Sequence, residues 1–298
     1  MADITGTGAD RPRRSCLYMP GTNARAHDKA KTLAADVLIF DLEDSVAPDA
    51  KEAARAQVCA AIAAGGFGRR EIVVRVNAMD TPWAATDLRA AAASGAHGVV
   101  LPKVSGPDDV RVAGDLLEAE GAGARLWAMV ETARAVLAAP EIAAAHARLS
   151  LFTMGLEDLA KELRAEVDGA RTAMLYALER SLLAARANGL GVIDAVYPAF
   201  ADDAGFAAAC AQGRGLGFDG KQVIHPRQIV PANAAFTPSA AAVSEAKGMI
   251  AAFAEAAEKG EHVAVLDGRM VEALHVAEAR RIVEFADSIA ALEGDQSA

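Results

Sequence analysis

Residues 37–44 read Val37-Leu-Ile-Phe-Asp-Leu-Glu-Asp44, and an alanine-rich stretch over residues 51–64 follows shortly after. A short apolar run with β-branched members has the length of a buried strand, not of a helix. It stops abruptly in carboxylates. The stretch after it is rich in Ala with interspersed charge, which are good helix formers, and Gly65-Gly66 closes it. The same unit recurs on both sides. Comparable runs lie at residues 15–19, 72–76, 98–101, 126–130, 149–154, 192–197 and 218–224, so that there are eight in all. Helical stretches lie at residues 24–35, 86–94, 108–119 and 171–188, with Gly95 and Gly189 as stops.

Strand followed by helix, repeated, calls for parallel pairing through right-handed crossovers. Eight such units in about 225 residues predict an α/β protein built as a closed (β/α)₈, or TIM, barrel. An open doubly wound sheet would advertise a glycine-rich first turn. The nearest stretch, Gly213-Arg-Gly-Leu-Gly217, lacks the third spacing and leads into a strand. Beyond the eighth run, residues 239–258 read as a helix, 262–266 as a short strand, Asp267-Gly268 as a turn and 271–290 as another helix. The expected organisation is a catalytic barrel over residues 1–230 and a C-terminal helical extension over 231–298, packing on its own barrel or on a neighbouring subunit.

Of 298 residues, 53% are hydrophobic and 23% charged, which suits a globular core and excludes a disordered or collagenous chain. Lys and Arg number 30 against 40 Asp and Glu, a net charge of −10. That balance argues against a general nucleic-acid surface. Cys16, Cys59 and Cys210 form neither a CxxC pair nor a Cys/His cluster, so they read as ordinary thiols. Residues 1–14 hold no apolar stretch of the secretory kind, and no run approaches the roughly 18 apolar residues of a membrane span. A cytoplasmic protein without membrane contact is expected.

Barrel enzymes carry their chemistry at the C-terminal ends of strands. The second run ends in Asp41-Leu-Glu43-Asp44, the third carries Arg75 and Asn77, and the fourth ends in Pro102-Lys103. The fifth ends in Glu131-Thr132, the sixth in Gly155-Leu-Glu157-Asp158 and the eighth in His225-Pro226. Carboxylates converging from several strands repel one another and need a counter-charge. A divalent cation supplies it, and all-oxygen ligation favours Mg²⁺ or Mn²⁺ over zinc. Glu131 and Asp158, at the tips of adjacent strands, are the candidate ligands. Arg75 is placed to fork onto a substrate carboxylate. Asp44 and Asp158 would equally serve as helix caps. Lys103 reads as a Schiff-base lysine or, preferably, as a solvated or phosphate-facing one. His225, followed by proline, reads as a loop-fixing residue. Arg25 and Lys29 are four apart on one helix face. Lying near that helix's start, they suggest a phosphate-bearing ligand, or else a solvated face.

These residues stand in a familiar order. Arg14-Ser-Cys-Leu-Tyr-Met-Pro-Gly21, Phe40-Asp-Leu-Glu-Asp-Ser-Val46, Val74-Arg-Val-Asn77, Leu101-Pro-Lys-Val104, Val130-Glu-Thr132 and Gly155-Leu-Glu-Asp-Leu159 come first. Gly220-Lys-Gln-Val-Ile-His-Pro226 and Asp267-Gly-Arg-Met270 follow. The chain resembles the citrate lyase β-subunit-like group of the HpcH/HpaI aldolase family, which includes malyl-CoA and citramalyl-CoA lyases. The resemblance implies a Mg²⁺-dependent barrel, a homotrimer or hexamer, acting on a CoA thioester and a small 2-oxo or hydroxy acid. The implied reaction cleaves or condenses a 3-hydroxyacyl-CoA, such as malyl-, citramalyl- or citryl-CoA, at a carbon–carbon bond. A thioesterase on the same scaffold and a CoA-independent metal-dependent 2-oxo-acid aldolase are the alternatives.

Carried onto this sequence, the resemblance makes Glu131 and Asp158 metal ligands and Arg75 the holder of the acid. Tyr18, Arg25 and Lys29 become contacts to the CoA-bearing substrate, while Glu43 and Asp44 order metal-bound water. The chain departs from the pattern after the Asp-Gly turn. Many members have an aspartate acid/base there, followed two residues on by proline. This chain has Glu272, one methylene longer, as the candidate catalytic acid or base in that place, and Leu274 where the proline would stand.

Overall fold

Alternation along each strand builds two cores, one inside a barrel and one around it. The computed structural model describes residues 11–296. Its strands β1 (Ser15–Pro20), β2 (Val37–Asp41), β3 (Glu71–Arg75), β4 (Gly98–Leu101), β5 (Arg125–Val130), β6 (Leu149–Met154), β7 (Gly191–Asp194) and β8 (Gly220–Val223) are parallel. Each pairs with the next, and β8 returns to β1, which closes the barrel. Cys16, Val37, Ile39, Val73, Val100, Trp127, Met129, Leu151 and Ile193 fill the lumen. Their neighbours in sequence, among them Leu17, Leu38, Phe40, Val74, Val99 and Phe152, pack outward against helices. Strand period two leaves no other arrangement for runs that must bury both faces.

The outer layer comprises α1 (Ala24–Ala30), α2 (Lys51–Ala64), α3 (Ala84–Ser94), α4 (Pro107–Ala119), α5 (Ala133–Leu137), α6 (Ala139–Ala143), α7 (Leu156–Leu163), α8 (Leu175–Ala187), α9 (Asp203–Leu216) and α10 (Ile229–Phe236). Gly95 ends α3 at φ +84°, a left-handed cap that a β-carbon would disfavour. At the floor of the barrel, where β1, β2 and β3 begin, Arg14 donates to both oxygens of Asp36 at 2.8 Å. Arg13 donates to both oxygens of Glu71 at 2.6 and 2.9 Å.

The lumen parity extends upward to the C-terminal ends of the strands. Positions 37 and 39 face inward, and so does Asp41. Position 73 is followed by Arg75, position 129 by Glu131 and position 16 by Tyr18. Polar residues therefore cap the stacked apolar layers on the side where the βα loops emerge.

The barrel unit runs from Arg13 to Phe236, and the residues from Thr237 onward belong to a second, smaller unit. The boundary expected at 230/231 falls inside α10, whose Ile229, Ala232 and Phe236 are buried in the barrel's outer core. The smaller unit comprises α11 (Ala240–Glu258), β9 (Ala264–Leu266), β10 (Arg269–Val271) and α12 (Ala273–Gln296). The two strands form an antiparallel hairpin. Asp267 and Gly268 at its tip have φ +48° and +75°, the signature of a tight primed turn. The helix expected at 271–290 therefore starts later, because Val271 pairs with Ala264 in the hairpin. Ala256, Ala264, Val271 and Val276 form this unit's core. No helix among the described residues is long and apolar enough to cross a membrane. Cys16, Cys59 and Cys210 are free.

Candidate active site

The polar tier above the lumen opens into a cavity of about 460 Å³, lined among others by Tyr18, Asp41, Asp44, Arg75, Met129, Glu131, Gly155, Glu157, Asp158 and Gln222. Arg75 is its best-anchored member. Its Nε and Nη2 each donate to Asp41 at 2.7 Å. Its Nη1 stands 3.0 Å from Glu43 Oε2, and its guanidinium lies 5.2 Å from the centroid of the Tyr18 ring. Burial alone would raise the Asp41 carboxyl, but the charge and bonds of Arg75 prevail and hold it below its ordinary value. The fork that the sequence assigned to a substrate carboxylate is thus closed on Asp41. What Arg75 can offer a ligand is its Nη1 edge and its charge.

Glu131 follows β5 directly and is buried. Its Oε1 accepts the backbone N–H of Lys103 at 2.5 Å. Burial pushes its carboxyl up to about 8, against the pull of that bond and of Arg75 and Lys103. Its room is kept by Gly155: a Cβ there would lie 2.5 Å from both the Cβ and the Oε2 of Glu131. Asp158 does not sit on a strand tip. It occupies the first turn of α7 together with Glu157, where the helix dipole favours negative charge.

Lys103 adds to the sequence reading. Its side chain is exposed, and its Nζ is turned to carboxylates. It donates to Glu43 and to Asp44 Oδ1 at 3.2 Å, and stands 3.9 Å from Asp158 Oδ2. Burial would lower its pKa, but the bond to Glu43 and the surrounding carboxylates raise it. An amine held charged in this way is a poor Schiff-base nucleophile. Glu43, buried beside it, has its carboxyl pushed up by that burial despite Arg75 and Lys103.

The remaining candidates separate. Tyr18 is brought into the cavity, and its hydroxyl is buried with no hydrogen-bond partner. Burial raises its pKa, so it stays a phenol. Arg25 and Lys29 stay exposed on α1 and do not line the cavity. Glu272 belongs to the smaller unit. Its backbone N–H donates to His275 Nδ1 at 3.0 Å and its carbonyl accepts from the N–H of His275 at 2.9 Å, so its main chain starts α12. His225 fixes its loop: Nδ1 accepts the Arg227 N–H at 3.2 Å, and the ring stacks on Phe200 at 4.9 Å. Asp41 and Lys103 were given too small a part by sequence reasoning. Lumen parity would have flagged Asp41; nothing local would have aimed Lys103.

The donor set suits a hard divalent cation. It consists of carboxylate oxygens, one of them buried and short of counter-charge, and it offers neither thiolate nor imidazole. Among the described residues the cluster whose ligand atoms all lie within 4.8 Å of one another is elsewhere, at Asp115, Glu118 and His146. It lies at the opposite face of the barrel, on α4 and the loop entering β6. His146 Nδ1 accepts the Arg148 N–H at 3.0 Å. Neutral His146 therefore carries its proton on Nε2, the nitrogen facing the two acids, and has no lone pair there for a metal.

A parallel barrel with acids gathered at its C-terminal mouth, and an arginine pinned among them, defines a class: barrel enzymes that handle a small anionic substrate with a divalent metal. A family model described as HpcH/HpaI aldolase/citrate lyase matches residues 14–226, and the chain belongs to that enzyme family. It is 49% identical over 280 residues to a protein named (3S)-malyl-CoA thioesterase from Cereibacter sphaeroides, covering 94% of this chain and 96% of that one. It is 37% identical over 284 residues to citrate lyase subunit beta of Escherichia coli K12, covering 93% and 94%. The crystal structure of protein CitE from Mycobacterium tuberculosis, in complex with magnesium, acetoacetate and coenzyme A, matches with a TM-score of 0.73. That match has 30% identity and covers 93% of this chain and 99% of that one.

Proposed function

We propose that the protein hydrolyses the CoA thioester of a short hydroxy acid of the malyl type, using a divalent ion held by Glu131 and Asp158. The observation that carries this reading is the near-full-length similarity to the malyl-CoA thioesterase, 49% over 94% of the chain.

Mg²⁺, when bound, would supply positive charge and polarise the substrate oxygens. Glu131 must give up its proton before it can ligate, and its burial makes the bare carboxylate eager for a cation. Arg75, locked by Asp41 and with Nη1 beside Glu43, offers its fixed positive charge to the acid's carboxylate. The Tyr18 phenol, unpartnered within the mouth, is placed to donate to a substrate oxygen. Glu43 and Asp44 order water beside the ion. Arg25 and Lys29 meet the phosphates of CoA outside the mouth. In the reaction, water adds to the thioester carbonyl and the C–S bond breaks. The proton released by water ends on the departing thiolate, which yields the free acid and CoA. Glu272 is assigned as the group that carries that proton, within the homotrimer or hexamer that the family resemblance implies.

The similarity to citrate lyase subunit beta supports a second reading, carbon–carbon cleavage by the same mouth. There the hydroxyl proton leaves, the carbon–carbon bond breaks, and the thioester enolate takes up a proton. One assay separates the readings. With (3S)-malyl-CoA and Mg²⁺, hydrolysis yields malate and free CoA in equal amounts, whereas cleavage yields acetyl-CoA and glyoxylate. Appearance of glyoxylate without free CoA would replace the first reading by the second. Turnover of free oxo acids alone would replace both by a CoA-independent aldolase.

A further inference from the structure

Resting on the metal assignment above, we propose that Lys103 is a built-in competitor for the divalent ion: its ammonium stands against Asp158, one of the two assigned ligands, and sets how tightly the ion is held. One residue engages both assigned ligands. Its backbone N–H takes Glu131 Oε1 at 2.5 Å, and its Nζ stands 3.9 Å from Asp158 Oδ2. The same Nζ donates to Glu43 and, at 3.2 Å, to Asp44, so it bridges carboxylates arriving after β2 and β6. The backbone at Lys103 is left-handed, with φ +51°, a conformation that side-chain-bearing residues rarely adopt and that persists where the surroundings demand it.

The physical consequence is competition. An ammonium and a divalent cation repel each other, and both want the same oxygen lone pairs. Binding of the ion to Asp158 therefore obliges Nζ to withdraw. Withdrawal is open to it, because the Lys103 side chain is 39% exposed and its four-carbon stem is flexible. The contacts that Nζ surrenders are subtracted from the ion's affinity. Once released, the ammonium remains at the mouth as the mobile positive charge nearest the site where an anionic substrate arrives. Arg75 cannot play this part, since Asp41 fixes it.

The test is direct titration of Mn²⁺ into metal-free protein, followed by electron paramagnetic resonance. Lys103→Met is expected to bind Mn²⁺ about 10-fold more tightly than wild type, and Lys103→Arg, which keeps the charge, close to wild type. Equal or weaker binding by Lys103→Met overturns the proposal. A measurement on wild type stands beside it in case the variants fold poorly. The rate of reductive methylation of Lys103, read by peptide mass spectrometry, should rise several-fold on adding Mn²⁺; an unchanged rate overturns the proposal as well. Glu131→Gln separates this inference from the reading beneath it. If Mn²⁺ binds that variant as tightly as wild type, the metal assignment itself falls, and this proposal with it. If binding is lost there yet unaffected by Lys103→Met, only the competition is refuted.

Discussion

At the floor of the barrel Arg13 and Arg14 meet Glu71 and Asp36 one to one, each pair closed by two side-chain hydrogen bonds. At the mouth, Asp41, Glu43, Asp44 and Asp158 lie against two cations, Arg75 and Lys103, and burial pushes the Glu131 carboxyl up to about 8 despite both. Both ends bury charge. The floor neutralises it within the chain, which serves architecture, whereas the mouth gathers more acids than cations, a surplus that protonation of Glu131 or an added cation relieves. A surplus of one sign in a concave site is an electrostatic cost to the fold, and its persistence is the mark of a binding function.

The contrast can be broken at either end. Glu131→Gln should reduce turnover on the order of 10³-fold and abolish metal binding. It should leave the metal-free fold no less stable at pH 8, since no interaction of a well-paired charge is lost. A variant that still turns over normally with Mg²⁺ would sink the assignment. Asp36→Ala should do the reverse. It strands Arg14, which is 2% exposed, and should cost about 3 kcal/mol, read as a lower denaturant midpoint, while the folded fraction binds Mn²⁺ as before.

The pH dependence of stability sharpens the comparison. Glu131 is raised in the folded state, so the folded protein favours its protonated form. That contribution is fully present below the ordinary carboxyl range and is lost as pH climbs toward about 8. Metal-free wild type should therefore lose thermal stability between about pH 5 and pH 8 more steeply than Glu131→Gln, and Mg²⁺ should restore it at the upper end. Parallel profiles for the two proteins would contradict the burial argument. The smallest effect is steric. Gly155→Ala sets a Cβ 2.5 Å from the Glu131 carboxylate and should weaken metal binding roughly 10-fold, measured by the same titration. Unchanged affinity would mean that Glu131 has room to spare.

Much of the architecture is legible in the order of residues alone. The eight apolar runs are the eight strands, because a run buried on both faces has nowhere to go but a covered parallel sheet. Their ends are less clear. The run at 192–197 outlasts β7, which stops at Asp194, where the side chain turns outward to Arg171 and Lys221. The run at 218–224 likewise overshoots β8. In the stretch 171–188, Arg171 has φ +55°, and a 3₁₀ turn over Thr172–Met174 precedes α8. Strand ends point to Glu131, Arg75 and Asp44, and Asp158 comes with them although it lies on a helix. Sequence does not show that Asp41 closes the fork of Arg75 or that Lys103 crosses the mouth, since each contact joins different strands.

The order of apolar runs, helix stops and strand-end acids determined the barrel and the end of it at which acidic side chains gather, because these follow from local periodicity and residue type. Tertiary structure alone decided which acid is paired and which is left wanting a cation. Lys103 meets Glu131 across 28 positions of chain and Glu43 across 60. Burial and Coulomb energy depend on those through-space distances, which only the closed barrel sets.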